Sequence, residues 1–470
     1  DPYRLKSPLK RTNPQKGLDN DPGWVEITWD EAYDTITDRL GRIRAEDPNG
    51  LSVSSWNYPT STYERFFGAA FGTRHVGHLF TGSRGMCGEA NHTLSMITHC
   101  AFTDLADIEY CNYLVIAGSS LFEAWMSAVA SSRIVGERKE KKGMKLVVID
   151  PKGVGAAAKA DEWLPIRPGT DGALFLAMIH VLLLEAHIYD AEYLKAATNA
   201  PYLVGQDRHL VRDRATGKPL VWDSAEGRAK PYDDATIRDF ALEGKYDVDG
   251  KAARPAFDIF KEHVKQYSPE WASRLTTIPE TTIRRIALEL GEAAQIGSKI
   301  VIEGKEYPYR PVCVVGYRGL NNHTNAWTNV MAMETLNMVL GSLRVPGGLQ
   351  GMDTPQALTG WRIRDRLPPG PDGLVMPQVM PIPFHFPPEH IALGEFWPLS
   401  WGTHVPCIVQ NDPKRFKMEG KTAQALIISG NNPMMNGQDP KVVAQALSKI
   451  PFVVDITIQL DETTQFADIV

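Results

Sequence analysis

Short apolar runs alternate along this chain with longer segments in which apolar residues recur every three or four positions. The short runs predict buried strands at residues 51–56, 113–117, 145–150, 299–303, 312–317, 425–429 and 452–455. The longer segments predict helices at residues 30–46, 62–71, 123–138, 171–186, 276–294, about 324–339 and 440–449. Strands that alternate with helices are typical of parallel sheets, so we expect an α/β protein.

Two of the predicted strand–helix–strand units share a glycine after the first strand and an acid at the end of the second strand. In the first, Gly118 follows a strand and Asp150 ends the next strand; in the second, Gly430 and Asp455 take these places. In doubly wound sheets, phosphates lie at such a glycine turn and the strand-terminal acid accepts ribose hydroxyls. Either unit alone is also consistent with a crossover that binds nothing. Because both features recur, the sequence favours two nucleotide-type sites.

Residues 153–158, GVGAAA, match the dinucleotide fingerprint G-x-G-x-x-A. The glycines follow Asp150, whereas the fingerprint places them before the acid. Too few residues separate them from Trp163 for a crossover helix. The motif therefore does not predict a nicotinamide site.

Two other stretches contain further candidate catalytic or ligand-binding residues. Residues 72–93 contain five glycines, three histidines and Cys87, a density that suggests a functional loop, although an exposed connection with a buried thiol is an equal alternative. The turn before the helix near residue 324 carries Arg318, two asparagines and His323. Such groups suit an anionic ligand, and plain helix capping explains them equally well.

Composition excludes several classes of protein. The net charge of −6 over 470 residues argues against nucleic-acid binding. No run of 18 apolar residues exists, so no membrane span is predicted. The five cysteines form no CxxC pair, which argues against a disulfide framework and against an iron–sulfur or zinc site. The first residues, DPYRLKSPLKR, do not form a signal peptide, and both ends look like cuts in a longer chain.

Several phrases occur in the order found in one known superfamily. They are RLKSPLKR, ITWDEAYDTI, KLVVIDPK, ADEWLPIRPGTDGALFLAM, HIYDAEYLKAATNAPYLV, NHTNA with VPGG, and SGNNP followed by VVDITIQLDETTQFADIV. The chain thus resembles the molybdenum or tungsten bis-molybdopterin guanine dinucleotide oxidoreductases, the DMSO reductase superfamily. The combination of IDPK with ADEWLPIRPGTDGAL is the most specific part, and the resemblance covers nearly the whole chain.

The resemblance implies an α/β fold with two pseudo-symmetric, doubly wound (Rossmann-like) cofactor-binding domains and insertions. One guanine dinucleotide would be held by residues of the first unit: Gly118, Ser119, Asp150, Pro168, Gly169, Thr170 and Asp171. The other would be held by a later set: Arg318, His323, Gly430, Asn431, Asn432, Pro433, Asp455 and Thr463. The family often has Gly-x-Asn-Pro where this chain has Gly118-Ser119-Ser120, which weakens the expectation there.

The resemblance also implies a metal ligand. The family places it about as far before an acidic stretch as Cys87 stands before residues 104–109, so Cys87 is the expected Mo or W ligand and catalytic centre. A thiolate is a soft ligand suited to these metals. The alternative is a structural thiol, with Ser83 or a solvent oxygen on the metal. Glu89, His92 and His99 could move protons near the metal, although a structural role is the more common one for such groups.

The expected domain plan has four parts. Residues 1–50 form a lead-in and a helix of a discontinuous domain, 51–190 the first cofactor domain with the Cys87 loop, 191–295 a polar insertion, and 296–470 the second cofactor domain with a Pro- and aromatic-rich insertion at 352–420. The family's N-terminal four-cysteine segment and C-terminal barrel are absent from these residues. A 4Fe–4S cluster is expected in the full-length protein but is not bound by this chain.

The expected activity is that of a catalytic subunit that reduces a small sulfur-type or other inorganic acceptor at the metal. Gly88 and Glu89 follow Cys87 where formate dehydrogenases have a histidine, which argues against formate. The Cys87 loop and TNAPYLV resemble polysulfide, thiosulfate and tetrathionate reductases. They also resemble acetylene hydratases and hydroxyarene-transforming relatives, so a hydratase or an aromatic transhydroxylase or dehydroxylase is an alternative. A non-catalytic homologous subunit is a further one.

Expected partners are a small-molecule substrate, a membrane-anchor subunit, and an Fe–S subunit that transfers electrons. The compartment stays open: periplasmic or on the outer membrane face for a respiratory reductase, cytoplasmic for a hydratase-like enzyme. Mo and W are not distinguished by these residues.

Overall fold

A computed structural model describes residues 1–55, 64–77, 87–99, 101–123, 128–352, 373, 405–436 and 439–470. Its contacts divide the chain into two compact units. One unit consists of Asp1–Glu89 together with Gln378–Val470, and the other of Ala90–Pro377. We refer to them as the discontinuous unit and the central unit.

The strands of the described residues are short and are numbered in chain order. They are β1 (Leu9–Lys10), β2 (Val25–Glu26), β3 (Leu51–Ser55), β4 (Val76–Gly77), β5 (Thr103–Ala106), β6 (Tyr113–Ala117), β7 (Lys145–Ile149), β8 (Glu162–Leu164), β9 (Leu203–Gly205), β10 (Leu220–Asp223), β11 (Arg228–Pro231), β12 (Tyr246–Val248), β13 (Lys251–Pro255), β14 (Lys299–Ile302), β15 (Lys305–Pro308), β16 (Val312–Gly316), β17 (Leu349–Met352), β18 (Ala425–Ser429) and β19 (Phe452–Ile456).

The α-helices follow the same convention. They are α1 (Trp29–Glu46), α2 (Thr93–His99), α3 (Ala128–Lys142), α4 (Asp171–His180), α5 (Ala191–Ala197), α6 (Ala256–His263), α7 (Pro269–Thr276), α8 (Glu280–Ala293), α9 (Arg318–Asn321), α10 (Ala326–Val339), α11 (Val405–Asn411), α12 (Pro433–Asn436) and α13 (Pro440–Ser448). Segments of π-helix occupy Glu64–Phe71, Cys87–His92 and Val181–Glu185.

The central unit is built on a four-stranded parallel sheet with the order β16-β6-β7-β8. All five residues of β6 and of β16 are buried, as expected of strands covered on both faces. The chain runs from β6 outward through β7 to β8, whereas β16 lies on the opposite side of β6. The order of the strands therefore reverses between β16 and β6, which is where doubly wound sheets bind ligands.

Helices α4 and α10 supply much of the apolar core of this unit. Leu174, Phe175 and Met178 of α4 are buried in the same cluster as Met333 and Leu336 of α10 and the strands of the sheet. Helix α4 is apolar on all sides, which is the pattern of a helix enclosed by other elements. This core fixes the N-terminal ends of both helices relative to the carboxyl edge of the sheet.

The discontinuous unit contains a second parallel sheet, with the order β19-β18-β3-β4. Helix α1 begins where the pattern Thr28-Trp29-Asp30-Glu31 predicts, and the Thr28 hydroxyl accepts the Glu31 N–H at 3.1 Å. The α/β fold class predicted from the sequence is confirmed, since both units carry parallel sheets with crossover helices.

The polar region after α5 forms antiparallel hairpins. Strands β10 and β11 pair with each other, and β12 pairs with β13, which also pairs with β9. The Pro- and aromatic-rich insertion at 352–420 lies largely outside the described residues. Its described parts include α11 and the last residue of β17, a strand that pairs with β5.

One feature of the domain plan differs from the expectation. Residues 296–470 were expected to form one cofactor domain, yet β16 pairs in parallel register with β6, residue Val314 opposite Val115. An apolar run shows that a strand is buried but does not show which strand lies beside it. Pairing between residues about two hundred positions apart is set by the tertiary fold.

Candidate functional site

A cavity of about 400 Å³ lies at the carboxyl ends of β16, β6 and β7 in the central unit. Its wall includes predicted site residues from four separate segments: Gly118, Ser119, Asp150, Pro168, Asp171, Arg318 and His323. The cavity is therefore located at the point where the strand order reverses, and it is of the size of small-molecule sites.

The first wall of the cavity is formed by two loops whose backbones touch. Gly118 follows β6 with φ +54°, and its carbonyl oxygen accepts the Gly319 N–H at 2.7 Å. A Cβ on Gly118 would lie 2.6 Å from Gly319 Cα, and a Cβ on Gly319 would lie 2.7 Å from the Gly118 oxygen. Both positions therefore require glycine. The sequence indicated Gly118, whereas the need for Gly319 follows only from this contact.

Replacing Gly319 with alanine should separate these loops. We expect Gly319→Ala to destabilise the protein by about 1–3 kcal/mol, the usual cost of overpacking, and to reduce cofactor retention. Gly136→Ala is the control, because a Cβ there meets no heavy atom within 4 Å and α3 would gain about 0.5–1 kcal/mol. Thermal unfolding of the two variants checks the prediction, and an unchanged midpoint for Gly319→Ala would contradict it.

Asp150 follows β7 and also lines the cavity. Its Oδ1 accepts the Lys152 N–H at 2.8 Å, and its backbone carbonyl accepts the Trp163 indole N–H at 2.7 Å. These bonds hold the turn so that the carboxylate stays at the strand end. Val154, Ala156 and Ala157, from the discounted G-x-G-x-x-A stretch, also line the cavity.

The turn before α4 brings a buried acid to the cavity. Asp171 is 3% exposed, and burial raises the pKa of its carboxyl to about 6, opposed by the nearby His323 and reinforced by Asp150. His323 packs on Gly169, and the Asn325 amide donates to the Gly169 carbonyl at 2.8 Å. The Thr170 hydroxyl donates to the Arg167 carbonyl at 2.7 Å, so Gly169 and Thr170 shape the turn.

Arg318 and His323 were expected to serve the second nucleotide, with Gly430 and Asp455. The structure instead brings them into the cavity with Gly118, Asp150 and Asp171. The reason is the position of β16, because both residues follow that strand and it belongs to the central sheet. Tyr317 and Glu123 also line this cavity and were not singled out from the sequence.

The second glycine turn lies in the discontinuous unit, after β18. Gly430 has φ +61°, the Asn431 amide donates to Ser54 Oγ at 3.0 Å, and Pro433 is the first residue of α12. Asn432 Oδ1 accepts the Thr463 hydroxyl at 2.6 Å. The expected residues Asn431, Asn432 and Thr463 therefore take part in hydrogen bonds around the turn that contains Gly430 and Pro433.

Asp455, near the end of β19, is a buried acid of the same sheet. It is 1% exposed, and neither carboxylate oxygen has a hydrogen-bond partner among the described residues. Burial raises the pKa of this carboxyl to about 8, and the charge of Asp461 adds to the shift. A buried carboxylate with two unused acceptors suits a ligand that offers N–H or O–H donors.

The expected metal ligand can be followed only along the backbone. Cys87 begins the π-helix Cys87–His92, and the side chains of residues 87–89 lie outside the described part, as do Ser83 and Cys100. Catalytic roles for Cys87 and Glu89 therefore stay predictions. Burial raises the pKa of the Cys111 thiol to about 12 and that of Cys313 well above its usual value, which makes both poor thiolate ligands.

His92 is held by its surroundings. Its Nδ1 lies 2.5 Å from the Phe102 carbonyl oxygen, and its ring stacks on the Phe102 ring with centroids 4.1 Å apart. This geometry suits the structural alternative for His92, and a role in proton transfer stays a prediction.

The comparison with known proteins decides the family. The family described as "Molybdopterin oxidoreductase" matches residues 4–470. This chain belongs to the molybdopterin oxidoreductase family. Membership implies a pterin cofactor that carries molybdenum or tungsten, so the resemblance noted in the sequence is confirmed.

Curated members of the family include two informative relatives. A sulfite dehydrogenase of Allochromatium vinosum is 30% identical over 380 residues, which cover 74% of this chain and 38% of that protein. A perchlorate reductase of Dechloromonas aromatica is 26% identical over 544 residues, which cover 100% of this chain and 53% of that protein. The chain thus spans about half or less of these relatives.

Among solved structures, acetylene hydratase from Pelobacter acetylenicus matches with a TM-score of 0.61 and 20% identity, covering 99% of this chain and 55% of that one. At this identity the likeness concerns the fold. Within the described ranges of this family member, no helix is long and apolar enough to cross a membrane.

Proposed function

We propose that this chain is the cofactor-holding part of a catalytic subunit that transfers electrons or an oxygen atom to or from a small inorganic compound. The observation that carries the proposal is the pair of acid-and-glycine sites at the carboxyl edges of two parallel sheets, one around Asp150 and one around Asp455. A bis-pterin cofactor with two guanine dinucleotides needs two such sites, one for each nucleotide.

The central cavity fits one nucleotide by size and by the groups that line it. The glycine turn at Gly118 and Ser119 lines the cavity at a strand end, which is where phosphates bind in doubly wound sheets. Asp150 would accept ribose hydroxyls, and Arg318 with His323 would supply positive charge for the phosphates. Asp171, whose burial favours protonation, would gain a partner from the bound base or sugar.

The site of the discontinuous unit fits the other nucleotide. The Watson–Crick edge of guanine carries two adjacent N–H donors, which match the two unused oxygens of Asp455. Gly430 leaves room at the turn, and Asn431, Asn432, Pro433 and Thr463 hold its shape through the bonds described above. The chain therefore has the groups to hold the guanine-bearing form of the cofactor at both ends.

The bound cofactor would supply a Mo or W centre that exchanges electrons or an oxygen atom. Cys87 would add a thiolate to this metal, as a soft ligand suited to it. Glu89 and His92 follow in the same π-helical segment and are the first candidates to hold or move a proton there. The electron path would be completed by an Fe–S cluster, by a membrane-anchor subunit, and by a further subunit that transfers electrons.

A small inorganic substrate is supported by three of the relatives, which are named for sulfite, perchlorate and arsenate, whereas others are named for formate and dimethyl sulfoxide. These relatives are each named as one subunit of an enzyme, which supports partner subunits here too. The acetylene hydratase likeness rests on fold alone, so it does not favour hydration over redox chemistry.

Metal and nucleotide analysis of the full-length protein tests the proposal. We expect about one Mo or W atom per chain and about two guanine nucleotides released per metal by acid hydrolysis. Viologen-linked turnover should appear with sulfur or other inorganic oxyanions, without hydration of acetylene. Absence of Mo and W would leave a non-catalytic homologue. Acetylene hydration without viologen-linked turnover would point to the hydratase alternative.

A Cys87→Ala variant tests the metal ligand separately. We expect the metal and both nucleotides to be retained, because the pterin groups and the two nucleotide sites are unchanged. X-ray absorption at the metal edge should show one sulfur fewer than in the parent protein. An identical sulfur count would assign the thiol a structural role.

A further inference from the structure

Three buried titratable side chains meet beneath one wall of the central cavity. His99 ends α2, Asp104 lies in β5, and Glu334 lies in α10. Each is at most 4% exposed, and one potential ligand atom from each lies within 4.8 Å of the others. Asp104 also lines the cavity, so the cluster is adjacent to a route from solvent.

Hydroxyl groups contact one oxygen of each carboxylate and leave the other oxygen without a hydrogen-bond donor. Ser95 Oγ lies 2.9 Å from Asp104 Oδ1, and Thr98 Oγ1 donates to Glu334 Oε2 at 2.6 Å. Asp104 Oδ2 and Glu334 Oε1 receive no N–H or O–H donor from the described residues, and the two carboxyl groups lie within hydrogen-bonding reach of each other. Hydroxyls that orient carboxylates while leaving an oxygen unused form the outer layer typical of metal sites.

The bonds of Thr98 also determine which nitrogen of His99 carries a proton. The Thr98 hydroxyl has one hydrogen, yet it contacts the Leu94 carbonyl, the Glu334 carboxylate and His99 Nδ1 at 2.8 Å. When Glu334 is ionised, as a metal ligand must be, its carboxylate and the Leu94 carbonyl can only accept from this hydroxyl, so His99 Nδ1 serves best as the donor. Neutral His99 then has its lone pair on Nε2.

This Nε2 faces Asp104 Oδ1 at 3.3 Å without the geometry of a hydrogen bond. Two lone pairs that face each other repel unless a positive charge lies between them. In a tetrahedral Zn²⁺ site, two ligand atoms that each lie about 2.0–2.1 Å from the ion are about 3.3 Å apart. The distance between His99 Nε2 and Asp104 Oδ1 has this value. Burial and the charge of Asp104 raise the pKa of Glu334 well above its usual range.

We propose that His99, Asp104 and Glu334 bind a divalent cation of the zinc or manganese class, separate from any metal held by the pterin. One imidazole and two carboxylates are ligands that these cations accept, and a charge of +2 balances both carboxylates. The free oxygens of Asp104 and Glu334 would turn to the ion, and water from the cavity side would complete its coordination.

The cation would have a structural role, since it would join the end of α2, the strand β5 and the middle of α10. Helix α10 carries Asn329 one turn from its start, and this amide binds Gly172 N–H and the Leu320 carbonyl beside the cavity. The ion would thus fasten the cavity wall at Asp104 to the helix that positions the turns at residues 172 and 320.

Metal analysis of the full-length holoenzyme tests the proposal. We expect about one equivalent of Zn or Mn per chain, measured together with Mo and W. Glu334→Gln preserves the shape of a side chain that does not line the cavity, so this variant should lose the Zn or Mn equivalent while keeping its Mo or W. Glu109→Gln is the matched control, because this exposed acid is on the same segment as Asp104. Separate readouts for the two kinds of metal distinguish failure here from failure of the proposed function.

Two further measurements keep the test decisive if a variant does not fold. After EDTA treatment, added Zn²⁺ should raise the thermal midpoint of the parent protein by about 3 °C or more. The Zn absorption edge should show one imidazole and oxygen ligands. No shift with Zn²⁺ or Mn²⁺, sulfur ligation of the zinc, or an unchanged metal content in Glu334→Gln would overturn the proposal. In that case the two carboxyl groups share a proton.

Discussion

Asp455→Asn is expected to stabilise the cofactor-free protein at pH 8 and to remove one of its two bound guanine nucleotides when the cofactor is present. Asp455 is buried without partners among the described residues, so its ionised form is costly in the absence of a ligand. An asparagine fills the same space without a charge, but it places an NH₂ donor where the second acceptor oxygen of the carboxylate was. One substitution should therefore separate folding from cofactor retention.

The pH dependence follows from the direction of the shift. Because the pKa of Asp455 is raised to about 8, above the unfolded value of about 3.9, the folded state binds the proton more tightly. The contribution of the protonated Asp455 carboxyl to the free energy of unfolding is complete below pH ~4 and is lost as the pH rises to ~8. The stability gained by the variant at pH 8 has a ceiling on the order of 5 kcal/mol, and at pH 4 the two proteins should be equally stable.

Urea unfolding of pterin-free protein at both pH values measures the first effect, and nucleotide release from holoenzyme measures the second. Glu419→Gln is the control, an exposed acid in the same unit that should change neither quantity. A variant that is less stable than the parent at pH 8, or that still releases two nucleotides, would contradict the assignment.

Arg310→Met should cost the central unit about 3–5 kcal/mol, because it leaves a buried carboxylate without its counter-charge. The Arg310 and Asp190 side chains are 7% and 4% exposed, and Arg310 Nε donates to Asp190 Oδ2 at 2.7 Å. Arg310 Nη1 also donates to the Ser298 and Tyr309 carbonyls, which would lose this donor. Asp190 Oδ1 meanwhile caps α5 through the Tyr193 N–H.

The functional consequence should follow from the place of Arg310 in the chain. It precedes β16, whose other end leads into Tyr317, Arg318 and Gly319 at the cavity. Cofactor retention should therefore fall along with the midpoint of unfolding. Arg285→Met is the matched control: its side chain is 44% exposed, so breaking its ion pairs with Glu162 and Glu289 should cost at most ~1 kcal/mol. Equal losses in both variants would show that burial of the Arg310 pair is not the cause.

The sequence was most informative where one short segment determines its own conformation. Residues 113–117 were predicted as a strand and form β6 with the same bounds. Gly118 and Gly430 were placed at turns, and both have positive φ. Backbone sterics and the period of apolar residues act over a few positions, so they can be recognised without knowledge of the rest of the fold.

The candidate site was predicted only in part, because its groups come from segments far apart in sequence. Asp150 and Asp171 were recognised from strand ends and from the family's phrases. Their proximity to Arg318 and His323 was not, since it depends on β16 entering the same sheet as β6. The requirement for Gly319 likewise arises from contact with Gly118 and has no signal in its own segment.

The amino-acid sequence by itself thus determined the α/β class, the family, the two glycine turns and the two strand-terminal acids at Asp150 and Asp455. Tertiary structure alone decided which strands are neighbours, that Asp455 is buried without a partner among the described residues, and that His99, Asp104 and Glu334 meet. The physical reason is the distance along the chain over which each kind of interaction acts. Local patterns report which face of an element is buried, whereas partners, desolvation and clusters of charge depend on where distant segments pack.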